Sequence, residues 1–167
     1  MEIKLTERNT DTYYRAGVGV VLINPDTGLC LLGERKMNGN GIGLNYQFIQ
    51  GGVESGATYL ETALRECYEE AGIKITENDL IAELPELTAY DLGFFSRKNG
   101  RGQVHKWLVF EYKGEAEFPE TPQDDEFERL KWMTFSVAIE LTVDFRKPVY
   151  KQVLRMIKEN TDLDIKE

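Results

Sequence analysis

With 167 residues, 41% of them hydrophobic, the chain can bury one sizeable core and is short for two, so residues 1–167 are expected to form a single domain. Its 29 acids against 20 bases leave a net charge of −9, which opposes a long footprint on duplex nucleic acid, since that needs a strongly basic face. A small anionic ligand stays open to it, because a metal ion can reverse the local charge.

The opening, MEIKLTERNTDTYY, lacks the apolar core of a secretory signal, and the longest apolar run, Val18 to Ile23, is too short to span a membrane. A cytoplasmic protein with no membrane partner is expected. In chain order, GVGVVLIN and LCLLGER flank the turn PDTG and predict a β-hairpin. The glycine- and asparagine-rich KMNGNGIGLN, Lys36 to Asn45, predicts a mobile surface loop. YQFIQ reads as a short strand entering a Gly51-Gly52 turn, and a helix follows with Gly72 as its C-cap. Leu80 to Leu84 and Thr88 to Leu92 are strand-like, FFSRKNGRGQ is a basic loop, and VHKWLVFEYK alternates as a strand. After the polar EFPETPQDDE comes the strand-like RLKWMTF. Val149, Val153, Met156 and Ile157 then space a last helix of about three turns. Strands interleaved with two substantial helices predict an α/β sandwich around a mixed sheet. Cys30 and Cys67 sit in apolar patterns without metal-ligand spacing and read as reduced core residues.

The helix between the glycines is unusual. Thr58 and Glu61 form a T-x-x-E capping box, which starts the helix at Thr58. At about 100° per residue, Leu60, Ala63, Leu64, Cys67 and Ala71 make the core face. Glu66, Glu69 and Glu70 cluster roughly 120° round from it, at i, i+3 and i+4. Like charges at that spacing repel, and the last turn of a helix disfavours anions. Only Arg65 lies nearby to offset them. A solvated acidic face would not need this placement beside a double glycine, whereas a hard divalent cation taking oxygen ligands would.

Gly51 to Ile73 resembles the box of the Nudix hydrolases: a glycine, five residues, a glutamate, seven residues, then R-E-U-x-E-E-x-G-U, with U aliphatic. Gly51, Arg65, Glu66, Glu69, Glu70, Gly72 and Ile73 stand at the matching places. Ala57 replaces the first glutamate, which in the family pairs with the arginine and braces loop against helix; Glu54 and Glu61 are the candidates to substitute. Cys67 replaces an aliphatic residue. The resemblance implies a Nudix-type α/β/α sandwich around a mixed β-sheet. It also implies Mg²⁺ or Mn²⁺ held by Glu66, Glu69 and Glu70, with a backbone carbonyl of Gly51-Gly52.

From Tyr14 to Val153, YRAGVGVVLIN, YQFIQGG, GQVHKW, EFERLKW and FRKPVYKQV are similar to the bacterial RNA pyrophosphohydrolases and the plant-type diadenosine tetraphosphate hydrolases. That resemblance implies that Arg15, Tyr90, Gln103 and Lys106 contact substrate phosphates and that Arg35 lies near the nucleotide. It implies Glu126, rather than Asp124, Asp125 or Glu128, as a carboxylate reaching the metal. Val143, Phe145 and Arg146 match residues around the first base, where an aromatic ring stacks for about 1–3 kcal/mol. The residues alone leave Arg15 equally an exposed charge and Lys106 an outward strand residue. His105, the only histidine, reads as a surface strand residue with no catalytic role.

The implied chemistry is metal-assisted hydrolysis of a phosphoanhydride, with one of Glu66, Glu69, Glu70 and Glu126 taking the proton of the attacking water. The implied substrates are 5′-triphosphate or diphosphate RNA ends, or dinucleoside polyphosphates such as diadenosine tetraphosphate, and the net acidity favours the latter. Two alternatives stay open: a Nudix enzyme for ADP-ribose, nucleotide sugars or oxidised nucleotides, and a non-catalytic nucleotide-binding module.

Overall fold

A computed structural model describes residues 14–36, 45–91 and 102–167. Residues 1–13, 37–44 and 92–101, which include most of the expected Lys36 to Asn45 loop and of the basic loop, lie outside the described residues.

β1 (Tyr14–Ile23) is the strand on which the sheet is built. From Gly17 to Ile23 every residue is buried, and a run of small and β-branched residues suits a strand covered on both faces. On one edge β1 runs parallel to β7 (Gly102–Glu111) along its whole length. On the other edge Leu22 and Ile23 pair with β2 (Cys30–Arg35), closing the expected hairpin, and Gly17 to Val20 pair with β4 (Ile49–Gly52). β3 (Tyr46–Gln47) and β8 (Phe127–Met133) pair with β2. β5 (Leu80–Glu83) and β6 (Thr88–Asp91) share the far edge of β7. One mixed sheet of eight strands results among the described residues.

Helices cover both faces. α1 (Tyr59–Ala71) packs Ala63, Cys67 and Ala71 against Val18, Val20, Leu22, Leu108 and Phe110. α2 (Phe135–Glu140) and α3 (Lys147–Asn160) lie on the opposite face, where Tyr150, Val153, Met156 and Ile157 meet Val21, Ile23, Trp107 and Val109. This is the expected α/β/α sandwich. Among the described residues, no helix is long and apolar enough to cross a membrane.

Three local expectations change. Gly51-Gly52 is strand rather than turn, because both residues pair with β1, opposite Val18 and Gly17. The strand over RLKWMTF stops at Met133, because Thr134 caps α2 by accepting the Val137 N–H at 3.3 Å. The last helix has 14 residues, close to four turns.

On the α3 face Trp107 donates its indole N–H to Thr88 Oγ1 at 2.7 Å and meets Phe48 edge-on at 5.9 Å. Its ring fills the place where a Cβ on Gly19 would sit, 2.4 Å away. Gly19→Ala is therefore expected to lower the unfolding free energy by about 1–3 kcal/mol through overpacking, measured by urea denaturation. An unchanged midpoint would contradict this packing.

Candidate metal and phosphate site

The acidic helix starts and stops where its caps require. Thr58 Oγ1 accepts the Glu61 N–H at 3.0 Å, and Gly72 ends α1 at φ 67°, a left-handed conformation that favours glycine. Its buried face differs from the expected one: Glu66 and Glu70 are 6% and 3% exposed, whereas Leu60 and Leu64 are only half-buried. The cause lies on β4. A Cβ on Gly51 would sit 2.0 Å from the Glu66 carboxyl carbon, so only glycine lets that side chain come down onto the strand.

Carboxylate oxygens of Glu66, Glu70 and Asp124 all lie within 4.8 Å of one another. Asp124 is delivered by a loop clamped to the end of α1. Its N–H donates to the Glu69 carbonyl at 2.9 Å, and Glu120 accepts from the Tyr68 hydroxyl at 2.7 Å and pairs with Lys74 at 3.0 Å. Glu126 lines the same cavity and faces Glu70. Burial pushes Glu66 up to about 7; Arg65 opposes this, and Glu69, Asp124 and Glu126 add to it. Burial also raises Glu70 well above the carboxylate range, reinforced by Glu126 and Glu66 and opposed by the Gln50 N–H. Glu70 Oε2 is buried without a hydrogen-bond partner. A buried oxygen without a donor, among converging carboxylates, fits a hard divalent cation.

Glu69 is placed differently. Its carboxylate takes Arg65 at 3.1 Å and lies outside the group of three. Arg65 also meets Glu66 at 3.1 Å and donates to the Gly52 carbonyl at 3.0 Å, while the exposed Glu54 is 3.8 Å away. With alanine at position 57, the bracing of loop to helix thus runs mainly through a backbone carbonyl.

The carboxylates open into a cavity of about 700 Å³ that Arg15, Gly17, Gln50, Gly51, Gln103 and His105 also line. Strand register sets this second half: Arg15 lies opposite Gln103, and Gly17 opposite His105. The Tyr90 hydroxyl donates to Gln103 Oε1 at 2.7 Å. Tyr90 meets Phe145 at 4.9 Å, and the Arg146 guanidinium stands 5.0 Å from Phe145 and 5.9 Å from Tyr90. Val143 opens the single turn Asp144–Arg146 that carries them. Seven expected residues lie outside the cavity lining: Glu69, Tyr90, Val143, Phe145 and Arg146, together with Arg35 and Lys106. Arg35 ends β2 half-buried outside its lining. Lys106, half-buried, is also outside the lining, although it shares a row and a sheet face with Val18 and Gly51.

His105 is not a surface residue. It is 3% exposed, between the rings of Tyr90 and Trp107, because Gly17 beside it has no side chain. Burial, with Arg146 and Arg15 nearby, lowers its pKa to about 4, so it is neutral at pH 7. Asp124, which the resemblance set aside in favour of Glu126, is the carboxylate grouped with Glu66 and Glu70. It sits in the bend 123–125, just before Glu126, and both line the cavity.

A model of the NUDIX domain matches residues 13–153. The chain is 34% identical over 164 residues to an RNA pyrophosphohydrolase of Agrobacterium fabrum, covering 90% of this chain and 95% of that protein. It is 32% identical over 155 residues to one of Bartonella bacilliformis, covering 84% and 89%. Among solved structures it resembles the E. coli dihydroneopterin triphosphate pyrophosphohydrolase, with a TM-score of 0.66 at 20% identity over 87% of this chain and 98% of that one. A C. elegans Ap4A hydrolase gives a TM-score of 0.61 at 14% identity over 86% and 98%. The chain belongs to the NUDIX family, whose hydrolases generally use divalent metal ions.

The raised carboxyls give a pH signature. Glu66 moves from an ordinary 4.5 to about 7, so in metal-free protein its contribution to stability is full below the unfolded value and is lost as pH rises through 7. Without metal, the melting temperature of the wild type relative to Glu66→Gln is expected to fall from pH 5 to pH 8. Mn²⁺ should raise the wild-type melting temperature more at pH 8 than at pH 5. Calorimetry showing a pH-independent difference would contradict the assignment.

Proposed function

We propose that this chain, as one domain over residues 1–167, is a Mg²⁺-dependent hydrolase of phosphoanhydride bonds at the 5′-polyphosphate end of RNA, acting in the cytoplasm. The observation that carries the reading is that Glu66, Glu70 and Asp124 converge in a cavity that Arg15 and Gln103 also line. Relatives named RNA pyrophosphohydrolase, 32–34% identical over most of the chain, support the RNA end.

Glu66, Glu70 and Asp124 would hold the ion, with Glu126 beside them and Gly51 making room for Glu66. Bound Mg²⁺, or Mn²⁺ in its place, supplies Lewis-acid polarisation of a phosphoryl oxygen and acidifies water. Arg15 and Gln103 bind the phosphate chain, with Tyr90 orienting the Gln103 amide through its hydroxyl. Phe145, 45% exposed and backed by Tyr90 and Arg146, offers a face on which the first base stacks. A carboxylate of the acidic group takes the proton from the attacking water. The net charge of −9 favours a second reading, in which the substrates are small dinucleoside polyphosphates.

The test is a Mg²⁺ assay of triphosphorylated RNA, diadenosine tetraphosphate and ADP-ribose side by side. Turnover is expected to be fastest on RNA, and Glu70→Gln should lose at least about 100-fold while melting as cooperatively as the wild type. Faster turnover of the dinucleotide selects the second reading. Binding without products from any of them would overturn the enzyme assignment.

A further inference from the structure

Resting on the proposed function, we infer that His105 is a further substrate-contacting residue: its Nε2–H donates to an oxygen of the bound polyphosphate, next to Arg15 and Gln103. The side chain is 3% exposed yet lines the cavity. Its Nδ1 is buried with no hydrogen-bond partner. A buried N–H left without an acceptor costs more than an unused lone pair, so the proton of the neutral ring belongs on Nε2.

That edge of the ring faces the cavity wall. A Cβ on Gly17 would lie 3.1 Å from Nε2, 2.8 Å from Cδ2 and 2.8 Å from the Gly51 carbonyl oxygen. Gly17 and Gly51 both line the cavity, so the missing side chain leaves a notch through which Nε2 is reached.

The surroundings select the partner. Arg15 and Arg146 are the charges that act on the ring, both cationic, and Tyr90 and Trp107 flank it. Among the described residues no acceptor is bonded to His105. A neutral N–H beside two guanidiniums and without a carboxylate matches an anionic oxygen supplied from outside. Strand pairing sets Arg15 across from Gln103, two residues from His105 on the same strand face, so one phosphate chain can meet all three.

His105 is the only histidine, so its imidazole nitrogens give one unambiguous set of ¹⁵N signals. The free protein is expected to show the Nε2–H tautomer. Adding adenosine 5′-(β,γ-imido)triphosphate with Mg²⁺ should shift the Nε2 and Hε2 resonances. In turnover, His105→Leu is expected to raise KM roughly 10- to 100-fold with kcat little changed, as loss of a hydrogen bond to a charged group predicts. His105→Gln, which keeps an N–H donor, should stay close to wild type. An Nδ1–H tautomer, or silent imidazole signals while ³¹P spectra show the nucleotide bound, overturns the contact and leaves the proposed function standing. A nucleotide that does not bind at all removes both.

Discussion

The structure depends on two carboxylates, Glu66 and Glu70, being buried beside a strand, with Arg65 at 3.1 Å from Glu66. An isolated buried carboxylate is expensive, and the folded chain meets that cost by protonation or by a bound cation. Several otherwise odd features follow from this one constraint. Glycine is required at 51 for Glu66 to fit. The loop that brings Asp124 adds further negative charge, although it is clamped to a helix end that already disfavours anions. Arg65 stays on the rim, tied to Glu69 and the Gly52 carbonyl, and does not neutralise Glu70.

The parallel pairing of β1 with β7 does the complementary work. It aligns Arg15 with Gln103 and Gly17 with His105 beside the acidic end, so the cavity draws its lining from both faces of the sheet. The hydrogen bond from Tyr90 to Gln103 connects that lining to Phe145, tilted against Tyr90, and to Arg146. A ligand anionic along its length and aromatic at one end is what such a sequence of surfaces accommodates.

Much of this was legible in the chain. The caps of α1, the hairpin and the run of strands along the chain follow from local chemistry, which is why Thr58 and Gly72 stand where expected, whereas Glu66 and Glu70 turn inward. What escaped depends on contacts distant in sequence. The burial of His105 depends on the absence of a side chain at Gly17, 88 positions earlier, and the role of Asp124 depends on a backbone bond to Glu69. Gly51-Gly52 read as a turn because paired glycines usually break strands, whereas here the strand yields room to a helix. The helical wheel placed Glu69 with its neighbours, but Arg65 one turn earlier holds it aside.

The most direct test of the central claim is calorimetric titration of metal-free protein with Mn²⁺ near pH 7, repeated in buffers of different ionisation enthalpy. Carboxyls held protonated by burial must release their protons to the cation. The account predicts a saturable site that releases about one proton or more per ion at this pH and disappears in Glu70→Gln. Saturable binding with no proton release, or binding that survives that substitution unchanged, would contradict it.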